Sequence, residues 1–306
     1  MSTVGPAAVS PGIRRTLLWV FLESLRLRSL IRMIASSRRP VHENLTMKIQ
    51  IVIPARLASS RLPEKLLLRA GGKSVLQHTY DAAMRSQTAI HSDSSSPVIV
   101  AVDDDRLYDE VLSFGGHAVR TSVDCASGTD RVAEVATQQP QTDIFVNVQG
   151  DEPEIDPDAI DRVATALCDD ANAEMATVVT PIRDHQRMQD PACVKAVFDD
   201  AMRAIYFSRA PIPFDRDGKF GTGHGDGPDS PVLGYQHLGL YAYRREFLTW
   251  FAGQACGVLE SIERLEQLRA IQAGRRIAIG LVDAATPGID TEEDFRQFAD
   301  RVETAK

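Results

Sequence analysis

The sequence predicts an α/β protein: a mostly parallel twisted sheet flanked by helices, with a smaller mixed α+β portion in its second half. Three observations predict it. Short apolar runs, KIQIVIPA, SPVIVAVDD, DIFVNVQGD and AEMATVVTPI, recur between Met47 and Ile182, and the first three end in polar residues rather than in hairpin turns. Between them, SVLQHTYDAAMRS, DRLYDEVLSFGG and GTDRVAEVATQQ carry apolar residues at helical spacing. Strands alternating with helices require right-handed crossovers, which place the ligand crevice at the carboxyl ends of the strands.

The elements follow in order. KIQIVIPA is a buried first strand, and the helix over DRLYDEVLS is stopped by Gly115 and Gly116. HSDSSSP, His91 to Pro97, is a polar connector. VKAVFD and RAIYFSRAPIP read as paired strands, and GKFGTGHGDGPDSP as a Gly/Asp/Pro loop suited to movement over a ligand. LGYQHLGLYAYRREFLTWF runs from strand into helix, and LESIERLEQLRAIQAG reads as one strong amphipathic helix stopped by Gly274. RRIAIGLVD is a strand, and TEEDFRQFADRVE a closing helix capped by Thr291.

Composition narrows the function class. A chain of 306 residues, 43% hydrophobic and 25% charged, is a globular protein, and its formal net charge of -8 argues against binding nucleic acid by whole-surface attraction. A site for a small anion must therefore be local. Cys125, Cys168, Cys193 and Cys256 lie far apart without metal-like spacing, which suits reduced thiols in a cytoplasmic protein. Residues 1–46 differ, with seven Arg against Glu23 and Glu43. Their apolar run Leu17–Leu22 is far shorter than the roughly 18 residues of a membrane helix, so no membrane insertion is expected. They read either as a disordered or weakly helical extension ahead of a true start at Met47, the reading their layout favours, or as an Arg-rich targeting segment. On either reading residues 47–306 form the main folded domain, the one expected to carry any catalytic site.

Two constellations carry chemistry. In IVIPARLASSRLPEKLL, Arg56, Arg61 and Lys65 follow directly on the first strand, over the edge where such sheets bind ligands. Arg is bidentate toward phosphate oxygens and Lys is a mobile point charge, while Ala58, Ser59 and Ser60 leave room for backbone N–H groups. A solvated loop would look the same by composition alone. The loop has neither a GxxxxGK[ST] nor a GxGxxG pattern, so a phosphate loop of another kind is required. In DIFVNVQGDEPEID, Gln149 and Asp151 stand at another strand end; Asp151 suits Mg2+, which is bound by one or two carboxylates plus substrate phosphates. Asp290, ahead of Thr291, is a candidate partner carboxylate, although each residue alone would pass for a turn or cap.

IPARLASSRLPEK, SVDCASGTDRVAE, NVQGDEP, VKAVFD with AIYFSRAPIPFDRD, YQHLGLYAYR, LESIERLEQLR and GIDTEED, in that order, resemble the 3-deoxy-manno-octulosonate (Kdo) cytidylyltransferase family, also called CMP-Kdo synthetases. The resemblance runs from about Lys48 to the C-terminus and leaves the first 46 residues without a counterpart. It implies a fold of nucleotide-diphospho-sugar transferase type with a smaller sugar-binding and dimerisation portion. It also implies CTP and Kdo as substrates, CMP-Kdo for lipopolysaccharide as product, Mg2+ as cofactor and a homodimer.

By that resemblance Arg56, Arg61 and Lys65 hold the triphosphate and stabilise the transition state, while Asp151 and Asp290 hold one or two Mg2+. Ser127, Gly128, Thr129 and Gln149 line the CTP pocket, and Arg209, His237, Tyr243, Glu266 and Gln267 bind Kdo, with Arg209 on its carboxylate. The chain departs from the family at Cys125 and Ala126, where His and Gln are usual, so no side-chain contact carries over to those two positions. Without the family, His237 and Tyr243 would be sheet-packing residues, Glu266 and Gln267 solvated, and Ser127 a helix cap. Three alternatives remain open from the sequence. One is a relative acting on an altered ulosonate; another is a non-catalytic nucleotide-binding module. The third is a glycosyltransferase using Asp103 to Asp105 as its metal site, which the cationic loop opposes.

Overall fold

The computed structural model describes residues 47–59, 61–218 and 230–304. The extension over 1–46, Ser60 and most of the predicted loop at 218–229 lie outside the described residues.

The frame is a sheet whose main path is β11-β7-β10-β6-β1-β4-β5. Its first strand, β1 (Ile49–Ala55), lies between β4 (Val98–Val102) and β6 (Ile144–Asn147), parallel to both, and β5 (His117–Arg120) extends the sheet beyond β4. Of these, β1, β4 and β6 are buried on both faces, which is why they read as continuous apolar runs, while β5 is the exposed edge. A two-strand hairpin, β2 (Arg69–Ala70) with β3 (Lys73–Ser74), leads into α1 (Val75–Met84), and α2 (Gln87–Ile90) follows it. Crossovers are then made by α3 (Asp105–Ser113), α4 (Gly128–Gln138) and α5 (Pro157–Asp169). The last of these, a full helix between β6 and β7 (Met175–Ile182), had no place in the sequence reading. Its start was nonetheless readable: Asp156 accepts from Asp158 N at 3.0 Å and Pro157 stands at the first helical position.

The second half departs from a parallel plan. A short helix, α6 (His185–Gln189), follows β7; then β8 (Lys195–Phe198) and β9 (Ala204–Ser208) pair antiparallel, as predicted. The long β10 (Gly234–Arg244) inserts antiparallel between β6 and β7, with a bulge between Leu238 and Tyr241, while β11 (Ile277–Leu281) runs parallel to β7. The helix after β10 is α7 (Arg245–Ala252).

One expected element is corrected. LESIERLEQLRAIQAG forms two helices, α8 (Val258–Glu263) and α9 (Gln267–Gln272), broken at Arg264, whose φ is 56°. Helical periodicity continues across the break because Leu259, Leu265 and Leu268 are all drawn to the core, and periodicity cannot register a backbone turned by contacts from elsewhere. The closing helix α10 (Glu292–Thr304) starts at Thr291, whose Oγ1 accepts from Asp294 N at 3.2 Å while the Asp294 carboxylate accepts from Thr291 N at 2.8 Å.

Candidate active site

The carboxyl ends of β1 and β6 open onto a polar cavity of about 360 Å³. Arg56, Arg61 and Lys65 enter it from the loop after β1, with Ala58 and Ser59 between them. Close approach of two strand ends builds its floor. A Cβ added at Gly150 would sit 3.0 Å from the Pro54 carbonyl oxygen, and the Gly150 carbonyl accepts from Thr79 Oγ1 at 3.0 Å. Gly128, at the start of α4, is similarly pressed on Pro54: an added Cβ would meet its Cγ at 3.3 Å.

Charges converge where Lys65 lies. Its ammonium, largely buried, donates to Asp151 Oδ2, to Asp290 Oδ1 at 3.2 Å and to the Ile289 carbonyl at 2.9 Å. Arg61 reaches Asp290 Oδ1 at 2.8 Å, while Arg56 is exposed on the cavity wall. Two carboxylates more than a hundred residues apart thus meet around one cation. They are hard oxygen donors, with side chains 29% and 48% exposed, so water or phosphate oxygens can complete a coordination shell. The pair fits Mg2+, which asks for one or two carboxylates and keeps its remaining positions for water and phosphate.

The nucleotide-side residues are held by a local frame. Ser127 caps α4, accepting from Asp130 N at 3.2 Å while the Asp130 carboxylate accepts from Ser127 N at 3.0 Å, and Gln149 lines the same cavity. Beneath them lies an ion pair absent from the sequence reading. Arg131, almost fully buried, donates to Asp103 Oδ2 at 3.0 Å, and Asp103 Oδ1 accepts from Leu57 N at 3.0 Å. Asp103 therefore ties the cationic loop to α4. The rest of the acidic triplet is also engaged, Asp104 capping α3 through Arg106 N at 2.9 Å and Asp105 pairing with Arg120. Among the described residues, no cluster of three or more candidate side chains gathers for a metal.

A second cavity adjoins the first, sharing Gly128, Gln149 and Glu266, and brings in Thr129, Tyr241, Tyr243 and Gln267. Its polar groups form two hydrogen-bonded sets. Thr129 Oγ1 donates to Glu266 Oε2 at 2.9 Å and has the Tyr243 hydroxyl 3.4 Å away; Tyr241 donates to Gln267 Oε1 at 3.3 Å. Burial raises the Glu266 carboxyl above its ordinary range and pushes the Tyr243 phenol up as well. Next to them Gln267 lies 3.5 Å from His237 Nδ1, and His237 Nε2 is 2.9 Å from Thr177 Oγ1, which donates to the Leu240 carbonyl at 2.8 Å. That pattern makes Nε2 the protonated nitrogen and Nδ1 the acceptor of a neutral imidazole, and burial pulls the His237 pKa down to about 3.

Arg209 stands apart from the other proposed sugar residues. Its guanidinium is on backbone carbonyls, Glu263 at 2.8 Å and Pro191 at 3.0 Å, and it does not line either cavity. A polar turn after β6 would leave Glu152 solvated; instead its carboxyl is raised to about 8 by burial and then by the charges of Asp151 and Asp290. Its place beside Asp151 at a strand end was the available signal.

Known proteins share sequence and fold with this chain. The cytidylyltransferase family model matches residues 50–277. The 3-deoxy-manno-octulosonate cytidylyltransferase of Rhodopirellula baltica is 58% identical over 258 residues, which span 84% of this chain and all of that protein. The 8-amino-3,8-dideoxy-manno-octulosonate cytidylyltransferase of Shewanella halifaxensis is 41% identical over 254 residues, 82% of this chain and 96% of that one. A solved CMP:2-keto-3-deoxy-manno-octonic acid synthetase complexed with CTP superposes with a TM-score of 0.75 at 36% identity, covering 85% of this chain and 100% of that chain.

Proposed function

The chain belongs to the 3-deoxy-manno-octulosonate cytidylyltransferase family, and from that premise we propose that it converts CTP and Kdo to CMP-Kdo and pyrophosphate. The sugar's anomeric hydroxyl oxygen bonds to the α-phosphorus of CTP, the bond from that phosphorus to the bridging oxygen breaks, and pyrophosphate leaves with the electron pair. The hydroxyl proton is lost to solvent or base. The observation that carries the reading is the meeting of Arg56, Arg61 and Lys65 with Asp151 and Asp290 in one cavity that opens onto a second, polar one.

Each half has its chemistry. The three cations suit the triphosphate and the charge that grows on the departing pyrophosphate, since catalysis of phosphoryl transfer is mainly positioning and electrostatics. Mg2+ held by Asp151 and Asp290 would neutralise phosphate charge and make the sugar hydroxyl more acidic. Ser127, Gly128, Thr129 and Gln149 are the residues we assign to the nucleotide. To Kdo we assign Tyr243, Glu266, Gln267 and His237, the last as a neutral hydrogen-bonding group; Arg209, held on backbone carbonyls outside both cavities, is not assigned to its carboxylate. A homodimer is in keeping with the exposed apolar side chains of Ile205, Val258 and Ile262, and we place the enzyme in the cytoplasm. Among the described residues no helix is long and apolar enough to cross a membrane.

The test is pyrophosphate release from CTP and Mg2+ with Kdo, with the 8-amino analogue and with no sugar, by the wild type and Asp151→Ala. Release that needs both Kdo and Asp151 supports the reading. Release with the analogue alone would reassign the sugar, and release with neither would overturn the activity.

A further inference from the structure

The break between α8 and α9 has a builder. Arg264 holds a left-handed backbone, φ 56° and ψ 47°, although it is neither Gly nor Asn, and such a conformation persists only where surrounding contacts fix it. Those contacts centre on Glu263. Its carboxylate accepts from Ser208 Oγ at 2.6 Å and from Arg209 N at 2.9 Å, and its own carbonyl accepts from Arg209 Nε at 2.8 Å. Glu263 and Arg209 thus grip each other in both directions, tying the end of β9 to the end of α8.

A different clamp holds the two helices together. Glu260 receives Arg269 at 2.7 and 2.5 Å and so fixes α8 against α9, but it does not reach β9. The tie from the break to β9 is therefore made by Glu263, while Gln267 contacts β10 beyond it. Two residues past the break stand Leu265 and Glu266, and Gln267 opens α9; Glu266 and Gln267 enter the second cavity against Thr129, Tyr241 and His237. An unbroken helix would carry both on past the cavity at the helical pitch instead of turning them into it.

We propose that Glu263 is a positioning residue for the sugar half of the site: by fixing Arg209 and the turn at Arg264, it sets how Glu266 and Gln267 enter the second cavity. The role rests on the reading of that cavity as the ulosonate site. Glu263 itself does not line it. Its loss acts first on the sugar half; the nucleotide half, built on β1, β6 and α4, is reached only through Glu266, which also lines the first cavity.

The experiment compares steady-state kinetics of wild type, Glu263→Ala, Glu263→Gln and Ser208→Ala, each checked for folding by its melting temperature. Since small misplacements of binding groups cost large factors, Glu263→Ala is expected to raise KM for Kdo about tenfold while KM for CTP stays within about twofold. Glu263→Gln, which keeps an acceptor for Ser208, recovers part of the loss. Should the alanine variant fail to fold, Glu263→Gln and Ser208→Ala carry the test, each with a smaller rise confined to Kdo. Equal changes in both KM values, or none, in folded variants overturn the positioning role alone. A wild type that turns over neither Kdo nor its 8-amino analogue overturns the activity reading, and the role with it.

Discussion

Lys65 and Asp151 form an ion pair at the carboxyl edge of the sheet, and the same ammonium bonds Asp290 at 3.2 Å and the Ile289 carbonyl at 2.9 Å. Three parts of the chain, the loop after β1, the turn after β6 and the turn before α10, are thereby held to one point. Removal of Asp151 takes away a carboxylate proposed for Mg2+ and a partner of Lys65 together. Asp151→Asn is expected to lower kcat for pyrophosphate release at least about a hundredfold, because one preorganised electrostatic group at a transferring phosphoryl is worth that much. Lys65→Ala should lose a similar factor. Retention of near wild-type kcat by either variant would remove that residue from the transition-state machinery.

The buried pair Asp103–Arg131 gives a stability prediction. Arg131 is 2% exposed, so Asp103→Ala leaves an almost fully enclosed guanidinium without its carboxylate, a loss on the order of 3–5 kcal/mol. It also frees Leu57 N, and the cationic loop with it. Urea denaturation is expected to show the loss in midpoint, and the surviving folded enzyme a raised KM for CTP rather than for Kdo.

His237 supplies a pH dependence. Its pKa in the folded chain, about 3, lies below its ordinary value of 6.5, so the unfolded chain binds the proton first and stability falls as pH drops below 6.5. The loss should reach about 1.4 kcal/mol by pH 5.5, close to one pH unit's worth of linkage. His237→Gln should flatten that part of a plot of unfolding free energy against pH, whatever its effect on turnover. An unchanged slope would mean that the imidazole keeps its ordinary pKa.

Gly150 tests the floor of the phosphate cavity. A methyl there meets the Pro54 carbonyl at 3.0 Å and Leu66 methyl carbons at 3.5 Å, and backbone cannot rotate away as a side chain can. Gly150→Ala should cost about 1–3 kcal/mol of stability as overpacking. It should also reduce kcat, since Asp151 is the next residue along. Wild-type values of both quantities would show that the two strand ends separate freely.

Apolar runs and punctuation made most of the fold legible. β1, β4, β6 and β7 declared themselves because a strand buried on both faces must be apolar throughout, and the catalytic constellations could be placed because they follow directly on such strands. The helix α5 was equally readable from Asp156 and Pro157. The turn at Arg264 was not, for its cause is Glu263 gripping Ser208 and Arg209 more than fifty residues away. A separation of 28 residues hid the Asp103–Arg131 pair as well, since an acidic triplet after a strand looks alike whether it holds a metal, caps a helix or neutralises a buried arginine.

By itself, then, the sequence determined the α/β order, the sheet edge that carries the chemistry and the kinds of group gathered there. Local periodicity and strand-end residues are properties of neighbours along the chain, and a sequence states them directly. Only the tertiary structure decided that Asp290 and Asp151 meet at Lys65, that β10 inserts antiparallel between β6 and β7, and that His237 is neutral. Each depends on burial and on contacts between distant segments, and those free energies exist only once the chain has closed on itself.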